Sequence, residues 1–439
     1  MRRLEGWGRF PVVAAVERRS EDLGRATAGA HLARGLGRSY GDASLPPAGG
    51  VVASTVAADR VLGFDPSVGV LHAEAGLTLG DLERLFWPRG WTSPVLPGTS
   101  FVTLGGMVAA DVHGKEHHVR GTFGAHVEAL RLRLPDGDVI WADRSQETEA
   151  FRATLGGMGL TGHILEVRLR LQAIPSAWIE QETERFGDLA ALLDGLAAAA
   201  GTWPYTMAWI DCLHGGRAMG RGILYRGRWV DPAASPEVAA LVAAPPRRKR
   251  SVTLPIEAPP GVLNRWVVAA FNEAYFRRHG PGERRSLAHP EDFLHPLDAV
   301  LRWNRGYGRR GFTQYQCVVP TRDGARRVLG RLVEAGAASF LCVLKDCGEE
   351  GEGLLSFPRP GTSLAVDLPI RRDTPAVVDR LNDQVLAEGG RIYLAKDTFS
   401  RAADYRAMDP RVDHFLTVRR RLDPQGRLTS LQSRRLFGW

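Results

Sequence analysis

The stretch ARGLGRSYGDAS, residues 33–44, sets three glycines, Gly35, Gly37 and Gly41, around Arg38, Ser39 and Tyr40. Glycines at this density let the backbone turn sharply and bring successive N–H groups close to a ligand, so a loop with no helix behind it can cradle a phosphate. The spacing is G-x-G-x-x-x-G, one residue longer than the dinucleotide fingerprint, and it runs into DASLPPAGG rather than into a helix. A nicotinamide-dinucleotide site needs the helix N-terminus behind its glycines, so that chemistry is excluded. An ordinary turn and a phosphate nest both stay open for the loop taken alone.

The segment 96–127, LPGTSFVTLGGMVAADVHGKEHHVRGTFGAHV, repeats the theme. Gly98, Gly105, Gly106, Gly114, Gly121 and Gly124 alternate with Thr99, Thr103 and the histidines 113, 117, 118 and 126. These histidines lack i, i+4 spacing in a helical context, and no acidic motif completes a ligand set, so no metal is expected. The segment reads as a glycine-lined surface with hydroxyl and amide donors, suited to a large cofactor that makes many hydrogen bonds. TLGGMGLTGHI, residues 154–164, adds a third such stretch with Gly159 and Gly162.

The elements that must position these loops are short. LTLGDLERLFWPRG predicts a helix with Leu79, Leu82, Leu85 and Phe86 on one face, stopped by Pro88 and Gly90. LRLRLPDGDVIWAD alternates Leu130, Leu132 and Leu134 with arginines and turns at Pro135-Asp136-Gly137, a hairpin. LEVRLRLQ alternates Leu165, Val167, Leu169 and Leu171, a half-buried strand. Strands and helices mix without regular alternation, so the fold class is α+β. After Pro175 come an alanine-rich helix (LAALLDGLAAAAG), a proline- and arginine-rich connector near 243–261 unsuited to regular structure, and strands at YQCVVPT and SLAVDLPI. The expected divisions are 1–175, 176–388 and a C-terminal segment, 389–439.

The chain has 439 residues, 44% of them hydrophobic, enough for two or three compact domains. No apolar run reaches membrane-spanning length, and the N-terminal sequence carries no secretory signal pattern, so a cytoplasmic or peripherally membrane-associated protein is expected. Cys212, Cys317, Cys342 and Cys347 lack zinc or redox spacing and read as reduced, buried thiols. The net charge of +8 favours anionic partners, but scattered basic residues form no nucleic-acid signature. The run Arg247-Arg248-Lys249-Arg250 reads either as a solvated loop or as a basic flap meeting an anionic lipid surface.

Three phosphate-friendly glycine loops in this order, with GWGR (6–9), WNRGYG (303–308), TQYQCVVPT (313–321) and AKD (395–397), resemble the vanillyl-alcohol-oxidase superfamily of FAD-dependent oxidoreductases. Within it the likeness is to enzymes that oxidise the 2-hydroxyl of a polyprenyl-phospho-pentose as the first half of an epimerisation completed by a short-chain reductase. The resemblance covers nearly the whole chain and implies a two-part FAD-binding domain plus a substrate domain whose antiparallel sheet covers the flavin.

It assigns Gly35, Gly37, Arg38, Ser39, Tyr40 and Gly41 to the pyrophosphate side of FAD. Gly98, Thr99, Thr103, Gly105, Gly106, His113, Gly114, Gly121 and Gly124 would follow the cofactor toward its ring, with Gly159 and Gly162 from the third stretch. Lys396 matches the family's active-site lysine, with His113 a second catalytic candidate; a lysine there could also simply pair with Asp397. Tyr40, Trp209, Gln314, Gln316, Lys345 and Ser363, with Lys396, match substrate-pocket positions.

Many sugar and alditol oxidases of the superfamily carry, at the position of Arg38, a histidine bonded to the flavin. A guanidinium cannot make that bond but can neutralise a phosphate, so non-covalent FAD is expected. Ala365 stands where the lipid-sugar oxidases have a pocket cysteine attacked by nitroaromatic inhibitors, and Ser363 where they have an asparagine. An oxidase of a soluble sugar, alditol or aldonolactone is the alternative enzyme, and a flavin-binding protein without turnover the non-enzymatic one.

Overall fold

A computed structural model describes residues 1–246, 250–259 and 261–439. Arg247, Arg248 and Lys249 of the basic run therefore lie outside the described residues. Two sheets come from the first 170 residues. In the four-stranded one, Arg2–Glu5 pairs antiparallel with Val12–Arg19, which runs parallel to Val51–Ser54, itself parallel to Leu32–Arg34. The five-stranded one is antiparallel throughout, in the order 61–65, 70–74, 163–170, 127–133, 139–143. A third, eight-stranded antiparallel sheet draws all its strands from 179–392, in the order 284–288, 179–186, 222–229, 205–210, 342–347, 361–369, 312–319, 391–392. The α+β class follows, with mostly antiparallel pairing.

The expected alternation holds where one sheet face is buried. Leu165, Val167, Leu169 and Leu171 are all in the core, and Leu130 and Leu132 face the same way from the neighbouring strand. The hairpin closes at Gly137, whose φ of 112° suits glycine. The helix Leu79–Phe86 starts at Thr78, whose hydroxyl accepts from the Asp81 amide, and runs into a 3-10 turn, Trp87–Arg89, that Gly90 ends with φ of 79°. Its buried face is Leu79, Leu82, Glu83 and Phe86, not Leu85, which is exposed. Glu83 turns inward because His295 waits there, its Nε2 2.7 Å from the carboxylate in a fully buried pair. In the connector, Val252–Thr253 forms a short strand parallel to Val300–Leu301 rather than irregular chain. All four cysteines are free and buried.

The C-terminal segment is tied to the glycine loop by one side chain. Arg435 Nε and Nη2 donate to the two Asp42 oxygens at 3.0 and 2.8 Å, Nη2 also to Asp397 at 2.9 Å, and Nη1 to the Ser400 carbonyl at 2.6 Å. Both carboxylates are nearly inaccessible. Arg435→Met would leave two buried carboxylates facing each other, a loss of about 3–5 kcal/mol for a buried pair stripped of one partner. Urea unfolding should show a clearly lower midpoint for Arg435→Met, and Arg435→Lys should recover only part of it.

Candidate functional site

The three glycine stretches and the eight-stranded sheet face each other across one cavity of about 420 Å³, within the range of cofactor and small-molecule sites. One wall is backbone-rich: residues 33–40, 96–106, 109–115 and 158–164 supply it. The opposite wall is side-chain-rich, with Trp209, Gln314, Gln316, Val343, Lys345 and Ala365 from four adjacent strands, and Lys396 from the turn after 391–392.

The backbone wall is assembled by close approaches that only glycine allows. A Cβ on Gly35 would lie 2.3 Å from Thr103 Oγ1, so the first and second loops are in direct contact. Gly37 has φ of 65°, which favours glycine. Thr103 caps the next helix by accepting from the Gly106 amide. The Thr99 hydroxyl and the Ser100 amide and hydroxyl all donate to Asp298 at 2.7–3.0 Å, which fixes the Pro97–Ser100 turn from across the chain. At Gly98 and Gly159 an added Cβ would meet nothing within 4 Å, although both line the cavity.

Four expected positions are not in the lining. Gly41 packs behind it, where a Cβ would sit 2.1 Å from the Asp397 carbonyl. Gly121 ends the turn His117–Arg120 with φ of 70°. Gly124 donates its N–H to Asp111 and lies against Leu155. Gly41 and Gly124 thus meet close packing, and Gly121 a backbone turn, outside the cavity lining. Ser363 is buried two residues along the strand from Ala365, on the same sheet face, and receives a hydrogen bond from Gln316 Nε2 at 3.2 Å.

Arg38 sits over the Trp7 ring at 3.9 Å and 4.9 Å from the Phe101 ring centroid, beside Tyr40. Its Nε is buried with no hydrogen-bond partner among the described residues. Gln316 Nε2 donates to His113 Nε2 at 2.9 Å, which leaves the ring proton on Nδ1. Nδ1 is likewise buried without a partner among the described residues. Burial, reinforced by the charges of Lys345, His117 and Lys396, holds this imidazole well below its usual pKa, so it is neutral at pH 7.

Lys396 Nζ lies 3.7 Å above the Tyr40 ring. Burial pulls its pKa down to about 7 against the opposing charge of Asp367. It is not paired with Asp397, whose oxygens take the Phe399 and Ser400 amides and Arg435. Asp367 accepts from Gln314 Nε2 at 2.6 Å and from the Tyr307 hydroxyl at 2.9 Å, and burial raises its pKa to about 7. The sequence reading passed over Asp367, Tyr307, Asp298 and Lys115. Lys115 is buried, donates to the Leu294 carbonyl at 2.6 Å and has its pKa lowered by burial to about 7. A charged residue inside an otherwise apolar strand was the available signal for Asp367, and GKE between glycine and histidines the signal for Lys115. Among the described residues, no group of three or more His, Cys, Asp or Glu could hold a metal ion.

Residues 25–143 match the FAD binding domain family. The chain is 34% identical to the decaprenylphosphoryl-β-D-ribose oxidase of Mycolicibacterium smegmatis, over 99% of its own length and 97% of that protein's. It is 35% identical to an uncharacterized protein of Streptomyces coelicolor, over 82% of this chain and all of that one. A D-lactate dehydrogenase of Anaerostipes hadrus is 29% identical over 30% of this chain and 29% of its own. The glycine wall and the matched domain define an FAD-dependent oxidoreductase of the vanillyl-alcohol-oxidase type. Within that class, the chain belongs to the decaprenylphosphoryl-β-D-ribose oxidase family.

The wall fits FAD on its own terms. Gly98 and Gly159 leave space where side chains would project, and the unpartnered Arg38 Nε and His113 Nδ1 offer donors to a group absent from the polypeptide. Ala365 lines the cavity opposite Gln316 in register, whereas no cysteine does. Nitroaromatic compounds that capture a pocket thiol should therefore form no adduct detectable by intact-protein mass spectrometry. Ala365→Cys should create one.

Proposed function

We propose that this chain oxidises the 2-hydroxyl of a polyprenyl-phospho-pentose, a decaprenylphosphoryl-ribose-like substrate, to the 2-keto sugar. The observation that carries this reading is Lys396, buried in the same cavity as the glycine wall, with its pKa brought to about 7. Bound FAD would supply the hydride acceptor for the carbinol carbon. Lys396, in its neutral form, takes the hydroxyl proton, and the resulting ammonium is held by the Asp367 charge and the Tyr40 face. His113 stays neutral and donates from Nδ1. Gln314, Gln316, Trp209 and Tyr40 hold the sugar, Lys345 meets the phosphate, and Ser363 acts by orienting Gln316.

Residues 1–175 form the FAD-binding domain, 176–388 the substrate domain covering the flavin, and 389–439 return to the first. The distribution of the sheets and the Arg435 tie support that division. A short-chain reductase completes the epimerisation. The protein meets its lipid-linked substrate peripherally; among the described residues no helix is long and apolar enough to cross a membrane. A similarity spanning both chains end to end does not favour a soluble-sugar or alditol oxidase.

Under anaerobic conditions, a polyprenyl-phospho-ribose should bleach the flavin and free alditols should not; the reverse pattern overturns the substrate class. The bleaching rate should rise about tenfold per pH unit below pH 7 and level off above it, as expected for a base that must be deprotonated. Lys396→Met should remove that limb along with nearly all activity. A His113 substitution that lowers the rate should leave the limb in place, because its imidazole is already neutral there.

FAD is held without a covalent bond, since Arg38 offers no nucleophile for the flavin methyl carbon. Acid precipitation should leave all yellow colour in the supernatant; flavin pelleting with the chain would refute this.

A further inference from the structure

The helix Arg265–Arg278 presents its apolar side outward. Its inward side is Val268 and Asn272, both buried, and Asn272 Nδ2 donates to Asp211 at 2.9 Å and to the Ser339 carbonyl at 3.2 Å. The opposite side carries Trp266, 82% exposed, with Val267, Ala270, Phe271 and Ala274, all exposed. A soluble helix ordinarily places such residues against the core and its polar residues in water. Exposed large apolar side chains grouped on one helix face mark a surface that something covers.

What covers it is indicated by charge and by continuity with the cavity. Arg265 opens the helix and Arg277 and Arg278 close it, all exposed, and Arg250 is exposed on the connector. Val252, Ile256 and Val262 add exposed apolar side chains just before the helix. Aromatic residues and aliphatics flanked by arginines form the pattern of a helix lying in a bilayer interface rich in anionic headgroups. The same helix reaches the cavity: Phe271 stacks on Tyr275 at 5.9 Å, and Tyr275 lines the cavity, 4.9 Å from Trp209.

We infer that the outward face of helix 265–278 docks on an anionic lipid surface and sets the cavity at the bilayer, where a substrate with a membrane-embedded tail can enter. The inference rests on the lipid-linked reading of the substrate. It also moves the membrane contact from the basic run alone to an apolar face with basic ends.

Flotation of the FAD-loaded protein with vesicles tests it, using phosphatidylcholine alone and phosphatidylcholine mixed with phosphatidylglycerol. The native protein should float with the anionic vesicles, and Trp266→Ser/Val267→Ser should retain about one-tenth of that binding or less. The variant should keep its flavin absorbance and its rate of bleaching by detergent-dispersed substrate, since both side chains are on the surface. Equal flotation of the two proteins, or no flotation of either, overturns the docking surface. So does light scattering that shows a native dimer turned into a monomer by the substitution, because a second copy would then be the occupant. Flotation that depends on the helix, with no bleaching by the lipid-linked sugar, upholds the surface and refutes the substrate reading instead.

Discussion

The structure depends on the weld between the first glycine loop and the turn that carries Lys396. The Tyr40 amide donates to the Ala395 carbonyl at 2.9 Å, Gly41 lies against the Asp397 carbonyl with no room for a side chain, and Arg435 bridges Asp42 to Asp397. These contacts join residues some 350 positions apart in sequence and bring Tyr40 beneath the Lys396 ammonium. If the weld loosened, the glycine wall and the ionisable wall would part company. Two buried carboxylates gathered on one guanidinium cost desolvation, and the return is geometric: the turn that carries Lys396 is held in register with a loop from the far end of the chain.

Burial does the electrostatic work at the cavity. The same desolvation that pushes Asp367 up to about 7 pulls Lys396 down to about 7, and each partly offsets the other's shift. Bases and acids that would be separated by several pKa steps in water are brought near one another around neutrality. The opposing wall is mostly backbone, with Arg34, Arg38 and Lys115 among its charged side chains, and the Arg38 guanidinium lies over the Trp7 and Phe101 rings.

The glycine loops were legible because each glycine answers a local backbone demand, and the strands because burial of one face imposes alternation. The α+β class followed from both. The site was half legible. Lys396, His113, Gln314 and Gln316 could be singled out by type and by likeness. Asp367 showed only as a charge in an apolar strand and Asp298 not at all, because their meaning lies in partners 53 to 199 residues away. The helix 79–86 shows the same limit: periodicity permits either Leu85 or Glu83 on the inner face, and only His295, supplied from elsewhere, decides for the glutamate. Gly41, Gly121 and Gly124 look in sequence like their cradle-forming neighbours, yet Gly41 and Gly124 are packed against Asp397 and Leu155, and Gly121 answers the φ of 70° at a helix end.

Ser363 shows how a residue outside the lining can fix side chains within it. Gln316 Nε2 spends its two protons on His113 Nε2 and on the Ser363 hydroxyl, so the amide's orientation is fixed from both sides. That orientation makes His113 Nε2 an acceptor and keeps the imidazole proton on Nδ1. A serine hydroxyl in this place accepts the amide's second proton from the same sheet face, on the strand whose register pairs the small Ala365 with Gln316. Pocket shape is set by Ala365, and the tautomer of His113 by Ser363 acting through Gln316.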